Sequence, residues 1–291
     1  MFGILNINKP AGCTSRDVVN RVQRIVKPVK AGHAGTLDPL ATGVLVVCLG
    51  GATRLIQYVQ QMPKTYRGIF LLGQSSPSDD VETEITNYAD VPIPTIEQIE
   101  AVLPTFIGTI QQRPPAYSAI KQQGQRAYKL AREGKQVELA ARPVEIYEIT
   151  VDGFEYPELQ LTIHCGSGTY VRSIGRDLAE ALGTKAVMSG LERTAIGSFR
   201  VEESLATDAI EPSTLETHLL PAIRAVEAIP RLTLGEKEWQ EISHGREIKS
   251  DVSLGEIDEV AAVNSQGELV ALLKTLGNGR YRATRNFLKP S

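Results

Sequence analysis

The sequence contains few of the residues that disulfides, metal sites and membrane spans require. Its three cysteines, Cys13, Cys48 and Cys165, lie far apart, and neither they nor the four histidines form a pair with metal-ligand spacing. No apolar run approaches the length of a membrane span. Phosphate-loop and dinucleotide fingerprints are also missing. We therefore expect a cytoplasmic protein that needs no metal, no cofactor and no membrane contact.

Charges of the two signs nearly cancel, leaving a net charge of −3, but they are unevenly distributed along the 291 residues. Residues 1–72 hold nine lysines and arginines against two acids, and residues 113–142 hold seven against two. Between these segments, residues 73–112 hold seven acids and no base. Because phosphate binding depends on local charge, the two basic segments are compatible with a nucleic-acid partner.

One motif, residues 32–43, places a single carboxylate at a glycine-flanked bend that leads into an apolar run. Pro39 biases the preceding Asp38 toward extended geometry, so the aspartate is held in a defined direction. The flanking glycines let another backbone or a ligand come close. An isolated Asp-Pro pair more often only begins a turn, so a functional interpretation depends on the whole motif.

Further motifs follow in order along the chain, at residues 8–15, 64–67, 113–121, 166–172 and 191–194. Together with residues 32–43, they resemble the ordered motifs of the TruB family of tRNA pseudouridine synthases. One match could arise by chance, whereas the ordered set could not plausibly do so. The resemblance implies an isomerisation that breaks the N-glycosidic bond of a uridine, turns the base and rejoins it through a carbon atom.

The resemblance assigns the chemistry to Asp38, which either attacks C1′ of the ribose or removes a proton from C2′, and both routes stay open. It gives Arg172 the role of the cation that keeps a buried carboxylate ionised. Tyr66 would stack on the flipped uracil, while Tyr170 and Leu191 would line the pocket.

Seven residues are predicted to contact RNA: His33, Lys9, Asp80, Lys121, Arg126, Lys129 and Arg132. His33 matches a histidine that occupies space vacated by extruded bases. Asp80 lies in residues 73–83, where Pro77 and Thr83 replace an Asp and a Gly of the family pattern. The shape of this loop is therefore left open.

The implied fold class is α+β, with a central mixed, largely antiparallel sheet flanked by helices. We predict a catalytic domain over residues 1–229, with a basic thumb-like insertion at about 115–142, and a PUA-like RNA-binding domain over residues 230–291. Residues 207–229, with Pro212 and Pro221 and with Pro230 directly after them, have the composition of a connector. The last unit has the pattern of separable hairpins that end in a basic group: Lys274, Arg280, Arg282, Arg285 and Lys289.

Local patterns predict Ser15 as a helix N-cap and paired strands at 144–151 and 159–165, with a turn near residues 152–153.

The function we predict is isomerisation of the uridine at position 55 in the T loop (TΨC arm) of tRNA by a monomer. The alternative is a non-catalytic tRNA-binding or tRNA-folding factor, which could lack Asp38, Arg172 or Tyr66; all three are present. A synthase acting in a guide-RNA complex is a third possibility, which the thumb-like insertion disfavours.

Overall fold

The computed structural model describes residues 1–118, 120–122, 124–135, 137, 139–250 and 257–288. The side chains of three predicted RNA contacts, Lys121, Arg126 and Arg132, lie outside the described residues, as does Lys289 of the terminal basic group. The first elements are β1 (Gly3–Lys9), α1 (Ser15–Val26), β2 (Ala31–His33), β3 (Thr42–Leu49), α2 (Ile56–Gln61), β4 (Lys64–Leu72), β5 (Gln74–Ser75), β6 (Thr86–Asn87), α3 (Ile96–Val102), β7 (Gly108–Gln112), β8 (Lys121–Gln122), β9 (Gln125–Arg126) and α4 (Ala127–Arg132). The later elements are β10 (Arg142–Glu155), β11 (Glu158–Cys165), α5 (Val171–Ala181), β12 (Ala186–Ile196), β13 (Phe199–Arg200), β14 (Leu205–Ala206), α6 (Pro212–Leu215), β15 (Arg231–Thr233), α7 (Glu236–Ser243), β16 (Ile248–Lys249), β17 (Glu259–Val263), β18 (Leu269–Gly277) and β19 (Arg280–Asn286).

A ten-stranded sheet forms the body of the molecule. Its order is β14-β1-β3-β12-β4-β11-β10-β7, with β2 beside β3 and β13 beside β12. Most neighbours are antiparallel, whereas β1 with β14 and β3 with β12 are parallel. Helices α3 and α5 bury apolar side chains against β4, β10 and β11, and α1 does so against β1 and β3. The predicted mixed, largely antiparallel sheet with flanking helices is confirmed.

Helix α1 begins one residue earlier than a Ser15 cap would require. Thr14 is the N-cap: its hydroxyl accepts from Asp17 N, and the Asp17 carboxylate accepts from Thr14 N at 2.9 Å. The prediction of Ser15 as the cap is therefore wrong. The Ser15 hydroxyl turns inward instead and binds the backbone of Leu37, accepting from its N at 2.9 Å and donating to its O at 3.2 Å. The first turn of α1 thus holds the loop that carries Asp38.

The hairpin of β10 and β11 is longer than the sequence pattern predicts. Its strands continue to Glu155 and resume at Glu158, so the turn lies at residues 156–157 rather than near 152–153. A register shift between Val151 and Gly153 absorbs the irregular residues as a bulge within the strand. The predicted turn residues therefore bend the strand without ending it.

Strand β12 has no counterpart among the strands predicted from sequence. It lies at the centre of the sheet and pairs with both β3 and β4. Its middle, residues 189–194, carries polar side chains that interrupt the apolar pattern of a buried strand. Ser189 and Thr194 donate to backbone oxygens of β4, and Arg193 reaches the loop that carries Asp38, so these polar side chains have partners inside the protein.

The C-terminal unit is a five-stranded sheet in the order β15-β17-β18-β19-β16. One face packs with α7 in a cluster of its own, which includes Val260, Leu273 and Ile242. The other face contributes Leu269 and Leu272 to a cluster that also contains residues of β1, β3 and α2. The division into two domains stays a prediction, but the two units share apolar packing. Among the described helices, none has the length and apolar character needed to span a membrane.

Candidate active site

Asp38 lies in the loop between β2 and β3, and the loop is fixed by backbone hydrogen bonds. Gly12 N donates to Pro39 O at 2.9 Å, and Ala41 N donates to Asp38 O at 3.1 Å. The hydroxyl of Ser15 holds Leu37 from the other side. The Asp38 side chain keeps 36% of its surface exposed. The carboxylate is therefore held in place and remains accessible to a ligand.

Lys9 supports this loop from inside the protein. Its side chain is fully buried, and its ammonium donates to three backbone oxygens: Pro10 O at 2.8 Å, Cys13 O at 2.7 Å and Pro39 O at 3.3 Å. Burial lowers the pKa of Lys9, while the nearby Cys13 and Asp38 act in the opposite direction. The prediction that Lys9 contacts RNA is wrong for this structure, because all of its donors are used inside the protein and none of its surface is exposed.

Arg172, on the first turn of α5, bridges two carboxylates. Its Nη2 lies 3.1 Å from Asp38 Oδ2, and its Nη1 lies 3.0 Å from Asp80 Oδ2. The guanidinium also donates to Ser78 O at 2.8 Å and to Tyr117 O at 3.1 Å. Only 6% of its side chain is exposed. An arginine fork with four acceptors has little freedom to turn, so it fixes the position of the Asp38 carboxylate.

Asp80 is a partner of Arg172 and not a surface residue. Its side chain is 1% exposed, and its Oδ1 accepts from Ser78 Oγ at 2.6 Å and from Glu82 N at 3.0 Å. The prediction that Asp80 contacts RNA is therefore wrong. A carboxylate this deeply buried is retained by its cation and its hydrogen bonds rather than by solvent.

The loop that departs from the family pattern closes through hydroxyl groups. Thr83 Oγ1 accepts from Ser78 N at 3.2 Å, and the two hydroxyls lie 2.7 Å apart. Asp79 adopts a left-handed φ of 61° and pairs with Arg176 at 2.7 Å. A threonine in place of the expected glycine therefore supports the loop that presents Asp80. Pro77 makes no contact that explains its presence.

Tyr66 and Leu191 line the apolar side of the site. Both are partly buried and pack, as Leu40 does, against the apolar cluster between the sheet and α5. Tyr66 on β4 lies directly opposite Arg193 on β12. Burial raises the pKa of Tyr66, and the cation of Arg193 opposes that shift. The tyrosine is therefore a neutral phenol beside a positive charge at neutral pH.

Tyr170 precedes α5 and is held by side chains from β7 and β10, at one edge of the sheet. The amide of Gln112 donates to Tyr170 O at 3.0 Å and accepts from Tyr170 N at 2.8 Å. Arg142 lies over the Tyr170 ring, 5.1 Å from its centroid, and donates to Gly168 O at 2.6 Å. Arg142 is the last residue of the predicted thumb-like insertion, so these contacts join that end of the segment to Tyr170 and Gly168.

Two of the predicted residues with described side chains remain, His33 and Lys129. His33 ends β2, and burial lowers its pKa; the charge of the nearby Arg16 acts in the same direction. Lys129 is exposed on α4. Within the described residues, no group of His, Cys, Asp and Glu could hold a metal ion.

Two side chains near the site were not predicted to belong to it. The pKa of Glu82 is raised by partial burial and by the carboxylates of Asp80 and Asp38, so a further acid lies close to this pair. Arg193 lies beneath Tyr66 and the loop of Asp38. Arg193 lies in the motif at residues 191–194, so the sequence could have indicated it. The sequence around a single arginine does not show which groups the side chain contacts.

Comparison with known proteins agrees with this geometry. Residues 23–171 match the family described as TruB family pseudouridylate synthase (N terminal domain). The tRNA pseudouridine synthase B of Dehalococcoides mccartyi is 40% identical over 294 residues, covering 100% of this chain and 98% of the relative. This chain belongs to the TruB family. The tRNA pseudouridine synthase B of Acaryochloris marina is 46% identical over 213 residues, covering 72% of this chain and 73% of the relative.

Solved structures of TruB-like fold are also similar over the whole chain. A chain of a Cbf5-Nop10-Gar1 complex superposes with a TM-score of 0.75 at 28% identity, covering 99% of this chain and 86% of the other. A chain of an H/ACA RNP bound to a substrate RNA containing 2′-deoxyuridine superposes with a TM-score of 0.74 at 26% identity, covering 100% and 86%. The pseudouridine synthase fold and the assignment as a tRNA pseudouridine synthase, an isomerase, are thereby confirmed.

Proposed function

We propose that this enzyme converts the uridine at position 55 in the T loop of tRNA to pseudouridine, with Asp38 as the essential carboxylate. The observation that carries the proposal is the pair of Asp38 and Arg172. The carboxylate is 3.1 Å from a buried guanidinium and still 36% exposed, so it is fixed, charge-compensated and open to a ribose. A carboxylate of this kind is what the reaction requires beside C1′ or C2′.

The atoms of the reaction balance without any second reactant. The glycosidic bond from C1′ to N1 of uracil breaks, the base turns, and a bond from C1′ to C5 forms. The proton on C5 is lost and N1 gains one, so the product is an isomer. Asp38 serves either as the nucleophile at C1′ or as the base at C2′, and the present geometry suits both.

Water must be kept from the intermediate, since water would hydrolyse it. Leu40, Tyr66 and Leu191, which pack against the same apolar cluster, would form a wall that excludes water once a base enters. A flipped uracil that stacks on the Tyr66 ring gains about 1–3 kcal/mol, which offsets part of the cost of leaving the RNA stack. Tyr170, held by Gln112, would bound the pocket on the side of the thumb-like insertion.

The RNA surface we propose is smaller than the set predicted from sequence. Lys9 and Asp80 are excluded by their burial, while His33 and the exposed Lys129 stay in it. Arg16, an exposed residue of α1 close to His33, is an additional cation at the same rim. Contacts of this kind would act on phosphates and would weaken as salt concentration rises.

We also propose that the enzyme works alone, as a monomer without a guide RNA. The structural neighbours named above come from assemblies, a Cbf5-Nop10-Gar1 complex and an H/ACA RNP. By contrast, the Dehalococcoides relative, which is 40% identical over 98% of its length, is named as a tRNA pseudouridine synthase B. The non-catalytic alternative is not favoured, because Asp38, Arg172 and Tyr66 occupy one site.

The test is incubation of the purified chain alone with an unmodified T stem-loop, followed by mapping of pseudouridine at single-nucleotide resolution. We expect conversion at position 55, and none in the Asp38→Asn variant, whose affinity for the RNA should stay within about twofold because phosphate contacts dominate binding. Asp90→Asn, which changes an exposed acid of the same charge, is the matched control. Conversion at another position, or near wild-type turnover by Asp38→Asn, would contradict the proposal.

A further inference from the structure

Arg193 is a buried cation at the centre of the site. Its side chain is 2% exposed, and its partners are backbone oxygens: Nε donates to Val44 O at 2.8 Å, and Nη2 donates to Gly35 O at 3.2 Å. Within the described part of the chain, no carboxylate lies within 4.0 Å of this guanidinium. Burial of a cation without a carboxylate partner is costly, so its position calls for a reason beyond packing.

The loop that carries Asp38 is shaped around Arg193. A Cβ on Gly43 would lie 2.3 Å from Arg193 O, and Gly43 has a φ of +96°, so no other residue fits there without displacement. Gly35, with a φ of +107°, places its backbone against the guanidinium, where a Cβ would lie 3.6 Å from Nη1. Gly43 therefore leaves room for the backbone of Arg193 at the end of the loop, and Gly35, in its left-handed conformation, presents its carbonyl oxygen to the guanidinium.

The side chain of Arg193 also lies beside that of Tyr66. Arg193 and Tyr66 form a directly opposed pair on neighbouring antiparallel strands, and their side chains interact. A register shift follows between Arg193 and Ala195, an irregularity of the kind that re-aims a side chain next to an active site. Arg193 thus contacts the loop of Asp38, strand β3 and Tyr66 at once.

We propose that Arg193 is a positioning residue for the pseudouridine synthase reaction, which sets the Tyr66 ring and the Asp38 loop in one fixed arrangement. The inference rests on the proposed function, because it assigns the base to Tyr66 and the ribose to Asp38. Arg193 itself does not touch the substrate. Its planar fork spans acceptors in different directions, which the single ammonium of a lysine does not do.

The experiment uses the full chain and the Arg193→Lys variant, which keeps the positive charge. We expect the single-turnover rate at saturating enzyme to fall about 100-fold, since displacement of catalytic groups by about 1 Å has effects of this size. The Kd for the T stem-loop should change by less than about twofold. Arg67→Lys, on the same strand as Tyr66 with 66% of its side chain exposed, is the matched control and should keep the wild-type rate.

A double-mutant cycle separates positioning from general destabilisation. If Arg193 acts in part through the Tyr66 hydroxyl, Arg193→Lys should slow a Tyr66→Phe enzyme by clearly less than it slows wild type, by about tenfold or less. An equal effect in both backgrounds, an unchanged rate, or a loss confined to Kd would overturn the proposal. Failure of wild type to modify the T stem-loop would instead refute the proposed function.

A second measurement applies if Arg193→Lys does not fold. In arginine-labelled wild-type protein, a guanidinium held by fixed acceptors gives slowly exchanging N–H signals in NMR spectra. We expect Tyr66→Phe to shift or remove signals of one such buried arginine while those of the Arg172 fork persist. An unchanged set of slowly exchanging signals would show that Arg193 does not hold Tyr66, and this result does not depend on activity.

Discussion

Deletion of residues 231–291 should destabilise the remaining body, because the C-terminal sheet covers an apolar surface of that body. One cluster of buried side chains spans both units. From the C-terminal sheet it contains Ala261, Val263, Leu269 and Leu272, and from the body it contains Ile4, Val44, Val46, Val59 and Ile223. The pattern of separable hairpins predicted from the sequence does not account for this shared packing.

Polar contacts add to the shared cluster. Tyr58 on α2 donates its hydroxyl to the carboxylate of Glu259, with distances of 2.8 and 2.9 Å to the two oxygens. Arg285 donates to the Tyr58 hydroxyl at 3.1 Å and to Arg54 O at 3.2 Å. One member of the terminal basic group is therefore used to hold the two units together and is not free to bind phosphate.

The magnitude follows from the buried side chains that the deletion removes. Val263, Leu269 and Leu272 are at most 5% exposed, and full burial of such a side chain contributes about 1.5–3 kcal/mol. Their loss together corresponds to roughly 5–9 kcal/mol, against a typical unfolding free energy of about 5–15 kcal/mol. We expect the truncated chain to aggregate or to melt far below the full chain.

Thermal unfolding and size-exclusion chromatography of the two proteins test this expectation. In the full chain, Leu272→Ala should lower the unfolding free energy by about 2–5 kcal/mol, while Lys274→Ala, two residues along the same strand and exposed, should change it by less than about 0.5 kcal/mol. A soluble truncated chain that melts within a few degrees of the full chain would refute the reasoning.

Three further predictions follow from the site. Asp80→Asn should lower the unfolding free energy by about 3 kcal/mol in urea titrations, because it takes one of two carboxylates from the buried Arg172; a change like that of the exposed control Asp90→Asn would contradict this. Burial lowers the pKa of Lys64 from 10.5 to about 8, so between these pH values the unfolded chain binds more protons than the folded chain. The unfolding free energy should therefore rise with pH across this window, by up to about 3 kcal/mol relative to the Lys64→Met variant. Parallel curves of unfolding free energy against pH for the two proteins would contradict this prediction. Modification of a minimal T stem-loop should survive exhaustive chelation, and loss of activity that zinc or magnesium restores would show a metal requirement.

The sequence could predict the elements that have a continuous or regular apolar pattern. The helix near Ser15 and the paired strands β10 and β11 were both predicted, because burial of their apolar residues is visible in residue types and spacing. Strand β12 could not be predicted in this way, since its middle serves the site rather than the core. Irregular patterns in a buried strand are expected where a fold carries function.

Burial of charge was the property that the sequence could not reveal. Lys9 and Asp80 were predicted as RNA contacts, in keeping with the usual exposure of charged residues. In the structure, backbone oxygens surround Lys9, and Arg172 meets Asp80. Both arrangements depend on segments far apart in the chain, so local composition does not predict them.

The motif residues fall into two groups, those with surface that a ligand can reach and those buried beneath the loop of Asp38. Accessible surface remains on Asp38, Tyr66 and Leu191. The buried cations of Lys9 and Arg193 instead donate hydrogen bonds to backbone oxygens of the loop that carries Asp38. Changes in the first group remove a group that faces a ligand and leave the packed interior intact. Changes in the second group leave buried carbonyl oxygens without donors, which costs stability as well as rate. A loop built by buried cations is therefore rigid before RNA arrives, and the direction of Asp38 does not have to be created by binding.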